Sequence, residues 1–270
     1  MNPNVGTLYG VTYSRFVAIG DSQTEGMGDG DDRAGYRGWA DRLADRIARV
    51  NPELLYANLA VRGKTTRDAR IDQLEPALEL QPDLIAAPLG MNDVIGRHDL
   101  DEVERDLHYI YRRLAESGAT VLIPTYPNVV RTIPVARRVE PWLLRLNQVM
   151  RDYADEFGFV LVDLYAAPVF IDLRAWSRDR LHASPLGHDR FAAAAAYALG
   201  LPGSDPNWAA PQPGSPRNAR VTELLRDARW AVEFFTPWVI RTVRGVSMGD
   251  GRAPKRPALE PVISWQPVAG

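Results

Sequence analysis

The chain has 270 residues, 46% of them hydrophobic, and a formal net charge of -2. That suits one large domain, or one with an appendage, and gives no bulk reason to expect a nucleic-acid partner. Cysteine is absent, which excludes a disulfide framework, a thiol nucleophile and a cysteine-ligated metal. No apolar run approaches the ~18–20 residues of a membrane span. Residues 1–14 lack the basic start and apolar run of a signal peptide, so the expected setting is soluble and cytoplasmic.

In chain order, Phe16–Gly20 is a short apolar run that predicts a buried strand. It ends in Gly20-Asp21-Ser22-Gln23-Thr24-Glu25-Gly26, so Ser22 falls at the carboxyl end of a strand, where open parallel α/β sheets bind ligands. Gly28-Asp29-Gly30-Asp31-Asp32 follows as a flexible acidic loop near Ser22, able to vary pocket access; it lacks the downstream Asp/Asn-Gly pattern and the twelfth-position glutamate of a calcium loop. Trp39, Leu43, Ile47 and Val50 keep helical spacing. Leu54–Leu59 reads as the second strand and runs into Gly63-Lys64-Thr65-Thr66. This resembles the end of a phosphate-binding loop, but Asn58 stands where that motif requires its first glycine. Leu84–Leu89 is the third strand, followed by Gly90-Met91-Asn92-Asp93. Val103, Leu107, Ile110 and Leu114 form the next helical stripe, Thr120–Pro124 the fourth strand, Leu143 to Tyr153 another stripe and Phe159–Val162 the fifth strand. Ser184 as N-cap and Pro185 at the first helical position open an alanine-rich helix over Leu186–Leu199. Such alternation predicts a parallel sheet sandwiched between helices.

Composition shifts after Gly200. The expected division is a domain over residues 1–200 and an appendage over 201–270: a linker to Arg217, a helix over Val221–Arg244, and a proline-rich tail, Gly245–Gly270, extended on the domain or partly disordered. The apolar face of the helix is expected to dock on its own domain or on a second subunit. The excess of arginine on its polar face leaves membrane contact as the lesser reading. Nothing in the sequence signals an oligomeric state.

A serine hydroxyl needs a base within hydrogen-bond reach, and the base needs an orienting group. Of the four histidines, His108 falls inside a helical stripe, His98 in a loop where it is expected to be solvated, and His188 one turn into the last helix in a structural setting. His182 differs, because Asp179 lies three residues ahead in a turn and can fold back to accept the Nδ1 proton. On spacing alone this is either a base with its orienter or a polar turn that caps the following helix. Gly63 and Asn92, each after a strand, are either ordinary turn residues or donors for a developing oxyanion. Gly-x-Ser-x-Gly is absent, since Thr24 stands two residues after Ser22.

Taken together, Gly20–Gly26, Gly63 within Asn58–Gly63, Gly90-Met91-Asn92-Asp93 and Asp179-Arg180-Leu181-His182 resemble the four ordered blocks of the SGNH hydrolases, the GDSL esterase/lipase family. The resemblance covers residues 15–200 and implies a three-layer α/β/α, flavodoxin-like fold with about five parallel strands, to which the C-terminal helical extension is added. It implies hydrolysis of a small-molecule ester without cofactor or metal. Ser22 would be the nucleophile, His182 the base and acid, and Asp179 the orienter; the Ser22 and Gly63 N–H groups and the Asn92 side chain would hold the oxyanion. An acyltransferase or thioesterase using the same site, or a non-catalytic binding protein on the same fold, are the alternatives. Gln23 departs from the leucine often found beside the serine and is expected to shape the pocket. Tyr126, Pro127, Val129, Val130, Tyr165, Phe170 and Trp176 are expected to wall an acyl site, and Arg37 and Arg62 to read an anionic group or lie in solvent.

Overall fold

A computed structural model describes residues 12–214 and 248–262. The strands are β1 (Arg15–Ala18), β2 (Gly30–Asp31), β3 (Gly35–Tyr36), β4 (Leu55–Asn58), β5 (Leu84–Ala86), β6 (Thr120–Thr125), β7 (Val160–Asp163) and β8 (Arg256–Pro261). The helices are α1 (Ser22–Glu25), α2 (Trp39–Ala48), α3 (Thr66–Asp72), α4 (Leu74–Glu79), α5 (Met91–Gly96), α6 (Leu100–Glu116), α7 (Glu140–Phe157) and α8 (Pro185–Ala198).

Six strands form one sheet in the order β7-β6-β5-β1-β4-β8, and β2 and β3 make a separate antiparallel ribbon. The five strands from β7 to β4 are parallel, in a flavodoxin-like order; β8 runs antiparallel along β4. Phe16 to Ile19 and Leu84 to Ala87 have no exposure, as expected for central strands covered on both faces. Helices α2 and α8 pack together as one layer, with Trp39 stacked on Phe191 at 4.0 Å between ring centres. Helices α3, α6 and α7 pack together as another. The three-layer α/β/α arrangement and the parallel strands agree with the expectation from sequence.

Two features go beyond it. The helices α1, α3, α4 and α5 are 4 to 7 residues long, too short to show a period. The sixth strand, β8, comes from the proline-rich tail. Its Pro257 and Pro261 are compatible with a strand because β8 lies on the sheet edge, where a missing N–H costs no ladder bond. The expected helix over residues 221–244 lies outside the described residues. Among the described residues no helix is long and apolar enough to cross a membrane.

Candidate active site

The carboxyl ends of the parallel strands converge on one cavity. At the end of β1, Gly20 adopts φ +142°, and a Cβ there would meet Thr24 Oγ1 at 2.8 Å and the Pro88 carbonyl at 3.1 Å. The buried Gln73 amide grips Gly20 from both sides: Oε1 accepts its N–H at 2.8 Å and Nε2 donates to its carbonyl at 2.9 Å. Asp21 then caps α1 by accepting the Gln23 N–H, so Ser22 is the first helical residue. Buried Asn58 donates to the Thr24 carbonyl at 2.8 Å and ties α1 to the end of β4. Among the described residues, no protein acceptor takes the Ser22 N–H.

The Ser22 hydroxyl lies 2.9 Å from His182 Nε2, and His182 Nδ1 lies 2.6 Å from Asp179 Oδ2. The other Asp179 oxygen accepts from Ser177 Oγ at 2.6 Å, Leu181 N at 2.9 Å and His182 N at 3.0 Å. Burial alone would raise the Asp179 pKa. The His182 hydrogen bond and charge, with the bonds from Ser177 Oγ and the His182 N–H, more than offset it and hold the carboxyl well below the usual range. An ionised Asp179 accepts from Nδ1, which assigns the proton to Nδ1 and leaves Nε2 free to accept from Ser22. The tight turn that permits this puts Arg180 in the left-handed region, at φ +58°. Asp21, buried beside Ser22, is pushed up to about 6 by desolvation, against the opposing pull of the Gln23 N–H and the His182 charge.

Gln23 has a role that its sequence context does not disclose. Its Nε2 donates to the Leu181 carbonyl at 2.8 Å and its Oε1 accepts the Ala183 N–H at 3.2 Å. The side chain therefore grips the backbone on both sides of His182. Gln23→Leu keeps the volume and removes both bonds. It is expected to lower kcat for an ester about tenfold with KM nearly unchanged, since a misplacement of about 1 Å can cost on the order of 10²-fold. Gln23→Glu, which keeps only the acceptor, should fall between. An unchanged kcat in Gln23→Leu would reduce the residue to a space filler.

Gly63, at φ +75°, and Asn92 line the same cavity as Ser22 and His182. The Asn92 amide donates to the Lys64 carbonyl at 2.8 Å, joining the start of α5 to the Gly63 loop. An amide NH2 carries two hydrogens, so this bond uses one of them. Next to it, buried Asp93 accepts both the N–H and the hydroxyl of Thr66 at 2.9 Å, fixing α5 against α3. The cavity has a volume of about 350 Å³. Of the residues expected to wall it, Tyr126, Pro127, Val129, Phe170 and Trp176 do so, whereas Val130 and Tyr165 do not. Met91, Ile95, Leu164, Leu181 and Met248 add apolar surface that sequence reasoning did not assign.

The two candidate anion readers are committed elsewhere. Arg62 is buried and neither solvated nor aimed into the cavity. Its guanidinium pairs with buried Glu25, reaches Asp32 at 3.2 Å, and lies 4.6 Å over the Tyr36 ring, while its own N–H binds Glu25 at 2.7 Å. Burial favours pairing because an isolated charge there would be costly. Arg37 pairs with Asp45 on α2. The acidic loop near Ser22 is likewise held, Asp29 by Arg42 and Asp32 by Arg62 and Arg252. His98 is half-exposed and lines the cavity rim, 3.4 Å from Asp93, rather than lying apart in solvent. His188 is fully buried: Nδ1 accepts the Trp39 N–H at 3.2 Å and Nε2 donates to the Met27 carbonyl at 2.9 Å. Burial lowers its pKa to about 4, keeping it a neutral structural tie between α8, α2 and the loop after α1.

Several solved structures share this architecture. An alpha/beta hydrolase enzyme, LAE5, from the metagenome of Lake Arreo, Spain, superposes with a TM-score of 0.58 at 25% identity over 69% of this chain and 95% of its own. Axe2, an acetylxylan esterase from Geobacillus stearothermophilus, does so with a TM-score of 0.56 at 24% identity over 70% of this chain and 94% of its own. TesA does so with 0.57 at 19% identity over 70% and 99%. For Axe2 and TesA the likeness is one of fold. No curated protein sequence matches the chain. The model of the GDSL-like lipase/acylhydrolase family matches residues 18–190, a span that opens just before Ser22 and closes within α8, beyond His182. The chain therefore belongs to the GDSL-like lipase/acylhydrolase family.

Proposed function

We propose that this protein is a serine hydrolase that cleaves small carboxylic esters through an acyl-serine intermediate. The observation that carries the reading is the continuous hydrogen-bonded line from Asp179 through His182 to Ser22, ending in a cavity that also holds Gly63 and Asn92. Ser22 Oγ attacks the ester carbonyl carbon as its proton passes to His182 Nε2. The resulting imidazolium faces ionised Asp179. The tetrahedral oxyanion accepts from the Ser22 and Gly63 N–H groups and from the second Asn92 N–H. The carbon–oxygen bond to the alcohol then breaks, and the alcohol leaves with the proton from Nε2. Water, deprotonated by His182, attacks the acyl-serine and releases the acid. Every group is supplied by the chain, and the donors are fixed before the reaction, which is where such sites gain most of their effect.

The cavity of about 350 Å³ lies at the low end for small-molecule sites. Short acyl groups fit it best, against the apolar surface of Tyr126, Val129, Phe170 and Trp176. Hydrolysis of a chain-length series of p-nitrophenyl esters is expected to peak at short acyl chains, with a fluorophosphonate probe attached to the peptide that contains Ser22. No hydrolysis of any activated ester and no labelling of that peptide would defeat the reading and favour a binding protein. Acyl products formed on added alcohols, in place of free acid, would make the enzyme an acyltransferase.

A further inference from the structure

The segment from Met248 into β8 lies beyond the residues matched by the family model, yet its contacts fall on the loops that build the site. Met248 lines the cavity with Ser22, Gly63, Asn92 and His182. Gly249 rests on the backbone of Arg62, one residue before Gly63. A Cβ there would stand 2.1 Å from the Arg62 carbonyl oxygen and 3.1 Å from Val61 Cγ1. Arg252 binds both oxygens of Asp32, at 3.0 and 3.1 Å, and the same carboxylate takes Arg62 at 3.2 Å. Lys255 Nζ donates to the Glu25 carbonyl at 2.6 Å, the Tyr36 carbonyl at 2.9 Å and Asp41 at 2.6 Å. It thereby ties the end of α1 to β3 and α2. Arg256 then donates to the Tyr56 carbonyl at 2.7 Å as β8 pairs with β4.

We propose that residues 248–256 form a strap that positions the Arg62–Gly63 loop for oxyanion binding and, through Met248, sets which acyl groups the cavity admits. The proposal rests on the ester-hydrolase reading. The loop leaves β4 and turns at Gly63; beyond the turn Asn92 holds the Lys64 carbonyl, and before it the contacts on Arg62 set the loop's position. From one side Glu25 holds the Arg62 N–H and guanidinium. From the other, Gly249 makes a backbone-to-backbone contact that leaves no slack, so any side chain at 249 must displace the strap or the loop. An oxyanion donor acts only within a few tenths of an ångström of its working distance. Met248 is unbranched and adaptable, suited to closing a cavity wall around an acyl chain.

The test uses Met248→Ala and Gly249→Ala in the full chain. It measures kcat and KM for p-nitrophenyl acetate, butyrate and octanoate, and amide hydrogen exchange across residues 61–64. In Met248→Ala the octanoate-to-acetate ratio of kcat/KM is expected to rise at least about fivefold, because one methylene in an apolar pocket is worth roughly 10-fold or more. In Gly249→Ala, kcat for the acetate is expected to fall about tenfold, as small misplacements of reacting groups do, with KM nearly unchanged and faster exchange at residues 62–64. If Gly249→Ala does not fold, Arg252→Ala, which removes only the pairing with Asp32, should show the same faster exchange. Folded variants with an unchanged chain-length ratio, kcat and exchange would overturn the strap while leaving ester hydrolysis standing. Should the native protein hydrolyse no ester, the functional reading falls, and exchange alone decides whether the strap holds the loop: unchanged exchange overturns it.

Discussion

Replacing Ser22 by alanine is expected to abolish fluorophosphonate labelling and to lower ester turnover by about 10⁶-fold, the order seen when a hydrolytic serine is removed. The loss should be this large because, among the described residues, it is the Ser22 hydroxyl that stands 2.9 Å from His182 Nε2, within reach of the base. Folding should be intact, since the helix cap, the Gln73 grip on Gly20 and the Asn58 bond to Thr24 do not involve the Ser22 side chain. Residual activity would come from the oxyanion donors and binding alone. The checks are intact-mass analysis after probe treatment, steady-state kinetics and a thermal melt. Labelling that persists in Ser22→Ala would place the nucleophile elsewhere.

Asp179→Asn is expected to lower kcat by roughly 10⁴-fold with little change in KM, as a wrong histidine tautomer does in related chemistry. The direction follows from the hydrogen-bond inventory. One Asp179 oxygen already accepts three donors, from Ser177, Leu181 and His182. An asparagine must keep its carbonyl oxygen there, because its NH2 group could accept none of them. The NH2 then faces His182 Nδ1 and makes that nitrogen an acceptor. The proton moves to Nε2, which can no longer take one from Ser22. Kinetics on a short ester, with the melting temperature as a control, checks this. A kcat within a few fold of native would leave Asp179 as a turn residue only.

The five parallel strands were legible because each is a short apolar run, and the long helices because their apolar stripes keep a steady period. The candidate site was legible as four short blocks, each at the end of a strand or just before the last helix. The relations between distant blocks were not. Gln23 and Leu181 are 158 positions apart, and no local pattern announces that one amide will hold the backbone around His182. Arginine is by default a surface residue, so Arg62 read as an exposed cation. Only the arrival of Glu25, Tyr36 and Asp32 around it makes a buried position tolerable. The strand β8 was hidden by its two prolines and by its largely exposed residues, which leave no alternation to detect.

The pairing of β4 with β8 also has a consequence in time. The bond from Arg256 to the Tyr56 carbonyl joins residues 200 positions apart. Contacts so distant along the chain are costly to close and form late. During synthesis the five parallel strands and α8 can assemble while β4 is still an open edge, a surface prone to pairing with other chains. The nascent protein must pass through this interval before residues 256–261 have been made. The Arg62–Gly63 loop, which the segment before β8 packs against, is then expected to be the last part of the site to reach its final place.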